Sequence, residues 1–189
     1  FLAEVLGAGF VEYTAPGQKQ ATRTVLSTGS SATVIVNLPT GSGKSAVAMA
    51  PALLQSRTSG TSIFVVPATS LALDQERAAF AHLRSAEPGR VHPDRLAYYS
   101  GQNEAERAAI RSRVRDGSQR LVFTSPESLL ASLAPAVYAA VCSGELRYFI
   151  IDEAHTVGSW GVEFRPEFQA LSGLRRDLLR TADDAGPPS

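Results

Sequence analysis

The segment that most constrains the fold of this chain is a strand, a glycine loop and a helix start in direct succession. The β-branched run Thr33–Val36 predicts a buried strand, Gly41 and Gly43 form the loop, and Lys44 begins a stretch that favours a helix. Elements in this order form a cradle for phosphate, because backbone N–H groups close around phosphate oxygens and the helix dipole adds positive potential. An ordinary glycine turn between a strand and a helix is the alternative interpretation.

The loop also carries side chains suited to a nucleotide. We expect Lys44 to reach the β- and γ-phosphates and the Ser45 hydroxyl to bind Mg²⁺. The pattern G-x-x-x-x-G-K-S/T is matched at its second glycine, its lysine and its serine, whereas Leu38 stands at its first position. The candidate nucleotide-binding residues of the loop are Thr40, Gly41, Ser42, Gly43, Lys44 and Ser45.

A second candidate for chemistry follows the apolar run Tyr148–Ile151, where the sequence reads Asp-Glu-Ala-His. At the carboxyl end of a strand in an α/β sheet, Asp152 can complete the Mg²⁺ shell and Glu153 can orient and deprotonate the attacking water. Such a pair alone is typical of any solvated strand end. Together with the loop around Lys44 it predicts a domain that binds and hydrolyses a nucleoside triphosphate.

These two motifs resemble motifs I and II of the superfamily 2 helicases. Asp-Glu-Ala-His occurs both in RNA-remodelling DEAH-box enzymes and in RecQ DNA helicases, but Trp160-Gly161 and Phe164–Phe168 are similar to the aromatic-rich loop of RecQ-like enzymes. The resemblance implies an α/β fold, a RecA-like P-loop NTPase domain whose doubly wound, mostly parallel sheet is flanked by helices. It also implies an ATP-dependent DNA helicase or translocase with 3′-to-5′ polarity that uses ATP and Mg²⁺.

The resemblance assigns further residues of the nucleotide site. Gln18 stands where the family has a glutamine that reads the adenine edge, since an amide can both donate and accept a hydrogen bond. The family usually has an aromatic residue and an arginine shortly before this glutamine; here Tyr13 is displaced by one residue, and Thr14-Ala15 stands where the arginine would be. A turn that caps the next helix is the alternative for Gln18. The resemblance also implies that His155 couples the nucleotide site to the neighbouring loop.

Residues that contact DNA are implied at three places. Thr69 and Ser70 match motif Ia, and Thr124 and Ser125 begin a T-S-P-E segment that contacts the tracking strand in the family; all four also suit helix capping. In the aromatic loop, Trp160 and Phe164 are expected to stack on bases, while Arg165 contacts a phosphate or the nucleotide site. The alternative for the aromatic residues is closure of an interdomain cleft.

Composition limits what the chain can be in size, charge and location. The chain has 189 residues, 44% of them hydrophobic, and 18 basic against 18 acidic residues, which neither supports nor excludes nucleic-acid binding. Cys142 is the single cysteine, and there is no membrane-spanning apolar run or signal-peptide pattern, so a cytoplasmic domain without membrane contact is the simplest expectation. We expect one RecA-like domain over residues 1–180, followed by a polar linker, 181–189, toward a second RecA-like domain in a longer protein.

The periodicity along the chain predicts parallel strands that alternate with helices, five or six of each. The arginine-rich face of the helix over 104–114 is interpreted as solvated, with no assigned function. The other predicted strands are Ser62–Val66, Leu96–Tyr99, Arg120–Thr124 and Tyr148–Ile151, and the other helices are 1–6, 18–26, 46–54, 70–83, 129–142 and 167–179.

Two further functions stay open at this point. The first is an ATP-driven switch that does not unwind DNA, within a protein complex such as a bacterial DNA modification or defence system. The second is an RNA helicase, which shares every catalytic residue but lacks the aromatic loop. For the preferred function, single-stranded or partly duplex DNA is the expected partner. Because superfamily 2 enzymes take their arginine finger from a second RecA-like domain, the isolated chain is expected to hydrolyse ATP poorly.

Overall fold

A computed structural model describes residues 12–54, 60–86, 89, 92–154 and 166–185. The described chain forms two compact units. One unit contains residues 12–54 and 77–92, and the other contains residues 60–76 and those from 93 onward, within the described ranges. The predicted helix over 1–6 lies outside these residues.

The second unit is built on a parallel sheet. Its strands are β1 (Thr61–Val65), β2 (Ala97–Tyr98), β3 (Leu121–Thr124) and β4 (Leu146–Ile151), in the order β2-β3-β1-β4. Every pairing is parallel. The inner strands β1 and β3 are buried along their whole length, as continuous apolar strands are in parallel sheets. These four strands confirm four of the strand predictions and the α/β fold class.

Helices connect the strands and begin where the sequence places capping residues. The Asn103 side chain accepts a hydrogen bond from the Glu106 backbone N–H, at 2.9 Å, and Ser125 caps the helix that begins at Pro126. The helices are α1 (Pro16–Ser27), α2 (Lys44–Leu54), α3 (Thr69–Ala86), α4 (Glu104–Arg115), α5 (Pro126–Ser128), α6 (Ala134–Cys142) and α7 (Pro166–Ala185), with a π-helical turn over Leu129–Leu133. Helix α7 continues to Ala185, past the predicted domain boundary at residue 180.

One face of the sheet packs against α4, α6 and α7 and forms the hydrophobic core of this unit. The core residues come from alternate positions of the strands and from the inner faces of these helices. On the other face, the rings of Phe64 and Phe123 lie 5.3 Å apart on neighbouring strands. The core includes Ile63, Val65, Tyr98, Ile110, Val122, Leu129, Leu133, Val137, Leu171 and Leu174.

The prediction of a strand over Thr33–Val36 is wrong in this structure. The segment forms no strand; its residues alternate between exposed and half-buried, and Ile35 is 90% exposed. β-Branched residues favour an extended backbone, whereas a strand also needs a neighbour that pairs with its N–H and C=O groups. The described part of the chain therefore contains four strands and not the five or six that the periodicity predicts.

In the arginine-rich helix α4, one carboxylate forms ion pairs with two of the arginines. Glu104 forms ion pairs with Arg107, at 2.8 Å, and with Arg111. The hydrogen bond from Arg111 is the main reason why the pKa of Glu104 lies below its ordinary value. Two of the arginines are thus committed to pairs within their own helix. Within the described ranges, no helix is long and apolar enough to cross a membrane.

Candidate functional site

The glycine loop before α2 is closed by its own hydrogen bonds. Gly41 and Gly43 have φ angles of 79° and 76°, a left-handed backbone that glycine adopts without steric cost. Between them, the Ser42 N–H and hydroxyl both donate to the Pro39 carbonyl, at 3.2 and 2.6 Å. The Gly43 carbonyl accepts from the N–H of Ala46, at 3.1 Å, in the first turn of α2.

Lys44 and Ser45 are the first two residues of α2, where the sequence predicts the start of a helix. The first N–H groups of a helix have no partner inside the helix and face outward at its positive end. No acidic residue lies in the first turn of α2 to compete for these groups. Both side chains are half-buried, so the loop offers N–H groups, one ammonium and one hydroxyl to an anion.

Gln18 is turned toward this loop. Its side-chain oxygen accepts hydrogen bonds from the Thr14 N–H, at 2.8 Å, and from the Thr14 hydroxyl, at 3.1 Å. Its side-chain nitrogen donates to the Gly43 carbonyl at 3.4 Å, and the residue is 6% exposed. The amide that the resemblance assigns to the adenine edge therefore contacts the phosphate loop in this structure.

The four strands of the sheet end level with one another at their carboxyl ends. In the register, Thr124 is paired with Tyr98 and with Val65, and Val65 is paired with Ile151. The segments that follow β1, β2, β3 and β4 therefore leave the sheet along a single edge. Parallel α/β sheets bind their ligands at this edge.

Asp152 and Glu153 follow β4 at this edge. The Asp152 N–H donates to the Val65 carbonyl at 2.9 Å, which extends the β1–β4 pairing by one residue beyond the strand. The Glu153 N–H donates to the Asp152 carboxylate, also at 2.9 Å. Glu153 has a φ angle of 50°, a left-handed conformation that costs a residue with a side chain about 1–3 kcal/mol and is concentrated at functional sites.

The residues assigned to DNA contact differ in their accessibility. Thr69 and Ser70 begin α3 directly after β1; Thr69 is half-buried and Ser70 is exposed. Thr124 is fully buried, and its hydroxyl donates to the Tyr98 carbonyl at 3.0 Å. Ser125 is also buried, and its hydroxyl accepts from the Ser128 N–H. The hydroxyls of Thr124 and Ser125 therefore make hydrogen bonds within the sheet edge, as the alternative capping role implies for Ser125, and their contact with DNA stays a prediction.

Four residues of the predicted site lie outside the described chain. They are His155, Trp160, Phe164 and Arg165.

The residues expected to bind Mg²⁺ can each be compared with the ligands that this ion prefers. Mg²⁺ requires hard oxygen ligands and is usually held by one or two protein groups together with substrate phosphates. The Ser45 hydroxyl and the Asp152 carboxylate are ligands of this kind. No cluster of three or more His, Cys, Asp or Glu residues that could hold a metal ion occurs in the parts of the chain that the structure describes.

Two supporting residues of the sheet edge were not found from the sequence. Glu76, on α3 and 4% exposed, accepts hydrogen bonds from the N–H groups of Leu96 and Ala97, at 2.6 and 2.9 Å, and fixes the start of β2. The Tyr98 hydroxyl is hydrogen-bonded to Ser132, at 2.6 Å, and accepts from Arg111. These contacts join residues distant in sequence, so no local pattern could have indicated them.

A glycine loop before a helix and carboxylates at a strand end are the features expected of a P-loop nucleotide-binding protein of the α/β class, and comparison with known proteins places the chain more narrowly. The model of the DEAD/DEAH box helicase family matches residues 15–182. The chain belongs to this family.

The relatives found by sequence are of the RecQ type. The chain is 33% identical over 171 residues to the ATP-dependent DNA helicase Q5 of Mus musculus, covering 90% of the chain and 16% of that protein. It is 33% identical over 148 residues to the ATP-dependent helicase SGS1 of Saccharomyces cerevisiae, covering 76% and 10%. It is 28% identical over 141 residues to the ATP-dependent DNA helicase RecQ of Pasteurella multocida, covering 75% and 20%. The chain thus spans a fifth or less of these relatives.

A solved structure shares the fold. The DUF1998 helicase MrfA, crystallised with DNA and AMPPNP, superposes with a TM-score of 0.69 at 21% sequence identity. The match covers 99% of this chain and 25% of that chain. It supports the RecA-like α/β architecture that the resemblance implies.

Proposed function

We propose that this chain is the first RecA-like motor domain of an ATP-dependent DNA helicase of the RecQ type. The observation that carries the proposal is the family match over residues 15–182, which contains both the loop at Gly41–Ser45 and the carboxylates at Asp152-Glu153. The Q5 and RecQ relatives are named as ATP-dependent DNA helicases, and the neighbouring structure holds DNA and a nucleotide analogue. In this role the chain binds ATP and Mg²⁺ and couples hydrolysis to movement along single-stranded DNA.

The nucleotide is held by the loop and by the first turn of α2. The backbone amides of residues 40–45 surround the phosphates, and Lys44 neutralises charge on the β- and γ-phosphates. Ser45 and Asp152 would hold Mg²⁺, which would supply positive charge beside the phosphates. Glu153 orients the attacking water and accepts its proton, and its position directly after the metal ligand keeps these two roles adjacent.

DNA is bound along the carboxyl edge of the sheet. Thr69 and Ser70 offer hydroxyls and the N-terminal amides of α3 to the phosphates of one strand. Thr124 and Ser125 support this surface from within, through their bonds to Tyr98 and Ser128. The aromatic segment supplies Trp160 and Phe164 for stacking on bases, with Arg165 on a phosphate, and His155 links this segment to the nucleotide site.

A second RecA-like domain completes the active site. An arginine finger contributes roughly 10³–10⁵ to the rate of phosphoryl transfer, and we assign this residue to the domain that follows residues 1–180 in the full-length protein. The isolated chain then binds ATP·Mg²⁺ weakly and turns it over slowly. An isolated chain that matches the turnover of the full-length protein would contradict this part of the proposal.

The proposal is tested by steady-state ATPase assays of the full-length protein with no polynucleotide, single-stranded DNA, duplex DNA or RNA. We expect stimulation by single-stranded DNA that is lost in Glu153→Gln. The matched control is Asp183→Asn, the same carboxylate-to-amide change at an exposed position on α7, which should behave as wild type. ATPase activity that no polynucleotide stimulates would favour an ATP-driven switch in a protein complex. Stimulation by RNA alone would favour an RNA helicase.

Polarity is tested separately by strand displacement. The substrates are partial duplexes with a single-stranded tail at either the 3′ or the 5′ end. Displacement from the 3′-tailed substrate alone is the expected result. Stimulated ATPase activity without displacement on either substrate would indicate a translocase that does not unwind DNA.

A further inference from the structure

We infer that the exposed face of α1 is a contact for the phosphate backbone of DNA, made by Lys19 and Arg23, in addition to the contacts proposed at the sheet edge. The inference rests on the proposed function and adds a surface to it. The described residues assigned to DNA so far, such as Thr69 and Ser70, belong to the second unit, whereas α1 belongs to the unit that contains residues 12–54 and 77–92.

Charge is divided unequally between the two units, although the whole chain has 18 basic and 18 acidic residues. Among the described residues of the second unit, acidic residues outnumber basic ones by 14 to 10. The described residues of the first unit include five basic residues and one acidic residue, Glu12. An excess of positive charge on one part of a neutral chain attracts a polyanion. The five basic residues are Lys19, Arg23, Lys44, Arg77 and Arg84.

Lys19 and Arg23 lie together on the exposed face of α1. They are four residues apart, so they are neighbours on one face of the helix, and both are exposed. Gln18 and Thr22, which directly precede them, are the buried residues of α1, and Gln18 contacts Gly43. Because successive residues of a helix are turned by about 100°, the basic pair lies on a different face from the one that contacts the phosphate loop.

The basic pair of α1 differs from the arginines of α4 in its partners. In α4, Glu104 forms ion pairs with Arg107 and Arg111 and so neutralises charge within the helix. The sequence of α1 contains no acidic residue, and no ion pair joins Lys19 or Arg23 to another residue in the described part of the chain. Like charges four residues apart on a helix repel each other, and a bound phosphate would offset this repulsion.

The surface beside the basic pair has the chemistry of a backbone contact. A groove of about 360 Å³ follows this face of the helix, and its described lining includes neither an acidic residue nor a large apolar side chain. It therefore lacks the aromatic and aliphatic anchors on which protein interfaces depend. Lysine, arginine and amide donors contact phosphates without reading the base sequence. The described lining consists of Pro16, Lys19, Gln20, Arg23, Thr24 and Ser27.

The hydroxyls in the groove are not free donors. Thr24 donates to the Gln20 carbonyl at 3.1 Å, and Ser27 donates to the Thr24 carbonyl at 3.2 Å. The donors that remain for a phosphate are the side chains of Lys19, Gln20 and Arg23. Two of these three carry a full positive charge, so affinity at this surface should depend strongly on salt.

The test measures the affinity of the full-length protein for a fluorescein-labelled oligo-dT and for a labelled duplex at several salt concentrations. Each phosphate contact contributes about 0.7 to the slope of log affinity against log salt for a single strand, and about 0.9 for a duplex. Lys19→Gln with Arg23→Gln should therefore lower the slope by about 1.4 for a bound single strand or about 1.8 for a bound duplex. The dissociation constant should rise about 2- to 30-fold. The polymer that shows the change identifies which part of the DNA substrate contacts α1.

The matched control is Arg176→Gln with Arg180→Gln, an exposed pair at the same spacing on α7 that changes the net charge by the same amount. This control should keep the wild-type slope. Lys19→Arg with Arg23→Lys exchanges the two side chains but retains both charges, so it should keep the wild-type slope as well. Should the double glutamine variant fail to fold, Arg23→Gln alone should lower the slope by half as much.

A wild-type slope in the double glutamine variant on both polymers would overturn the inference. An equal reduction in the α7 control would also overturn it, because net charge alone would then explain the change. Weaker binding of ADP by the double glutamine variant without DNA would place Lys19 and Arg23 in the nucleotide site and refute the inference too. In these three outcomes the wild-type protein still binds DNA, and the proposed function stands. A wild-type protein that binds neither polymer would overturn the proposed function together with the inference.

Discussion

Replacing Gly43 by alanine should destabilise the chain more than replacing Gly41, although the two residues have nearly the same backbone. Their φ angles are 76° and 79°, so each alanine carries the cost of a left-handed backbone, about 1–2 kcal/mol. Among the described residues, a Cβ at Gly41 meets no atom within 4 Å, so this cost is the whole expected effect there. Gly41→Ala thus measures the backbone contribution alone.

At Gly43 a second contribution is added. The new Cβ would lie 2.2 Å from the Gln18 nitrogen, and real Cβ contacts do not fall below 3.0 Å. The end of the Gln18 side chain has to move, and its hydrogen bonds with the exposed Thr14 N–H and the half-buried Gly43 carbonyl are lost, which costs about 0.5–1.5 kcal/mol. The two contributions bring Gly43→Ala to about 1.5–3.5 kcal/mol.

The assay is urea-induced unfolding followed by circular dichroism, with the ADP affinity of each variant measured in parallel. We expect Gly43→Ala to unfold at clearly lower urea concentration than Gly41→Ala and to bind ADP more weakly. Equal midpoints for the two variants would refute the argument that Gln18 is packed against the loop. The double variant Gly43→Ala with Gln18→Ala provides a further check, because it should recover part of the loss.

Three further predictions concern the sheet edge and its support. Glu76→Ala should lower the free energy of unfolding by about 2–5 kcal/mol, because two buried N–H groups lose their acceptor, whereas Glu76→Gln keeps an acceptor oxygen and should cost less in urea unfolding. The hydrogen bond from Arg111 lowers the pKa of Glu104 in the folded state. The pair should therefore stabilise the fold at pH values above the ordinary pKa of Glu104, and this stabilisation should be lost as the pH falls through the lowered pKa. Glu104→Gln should remove this part of the acid dependence of thermal unfolding. Ser125→Ala should cost about 0.5–2 kcal/mol by removing the cap that accepts from the Ser128 N–H, and a Thr substitution should restore most of it in the same assay.

The sequence was most informative where local chemistry decides the structure. The helix start at Lys44, the left-handed glycines, the cap at Ser125 and the strand that ends at Ile151 depend on residues within a few positions of one another, and the structure contains all of them. The sequence also predicts that Asp152 lies at the carboxyl edge of the sheet, because parallel strands that alternate with helices place their carboxyl ends together.

The sequence was less informative where a distant partner decides the local structure. The run at Thr33–Val36 has strand propensity, but a strand depends on its neighbour. The pattern around Gln18 indicates an amide near the nucleotide, yet the direction of that amide follows from Thr14 and Gly43. Thr124 resembles a surface hydroxyl in sequence, and only the pairing of β2 with β3 shows that it faces the Tyr98 carbonyl.

The order of the strands also has a consequence for how the protein is made. The central strand β1 pairs on one side with β3 and on the other with β4, and the partner of Val65 across the second pairing is Ile151. Translation at about 5–20 residues per second leaves an interval on the order of ten seconds between the synthesis of these two residues. Until β4 is made, the strand that carries Ile63, Phe64 and Val65 lacks its neighbour on one side. These residues form a site at which ribosome-associated chaperones are expected to bind.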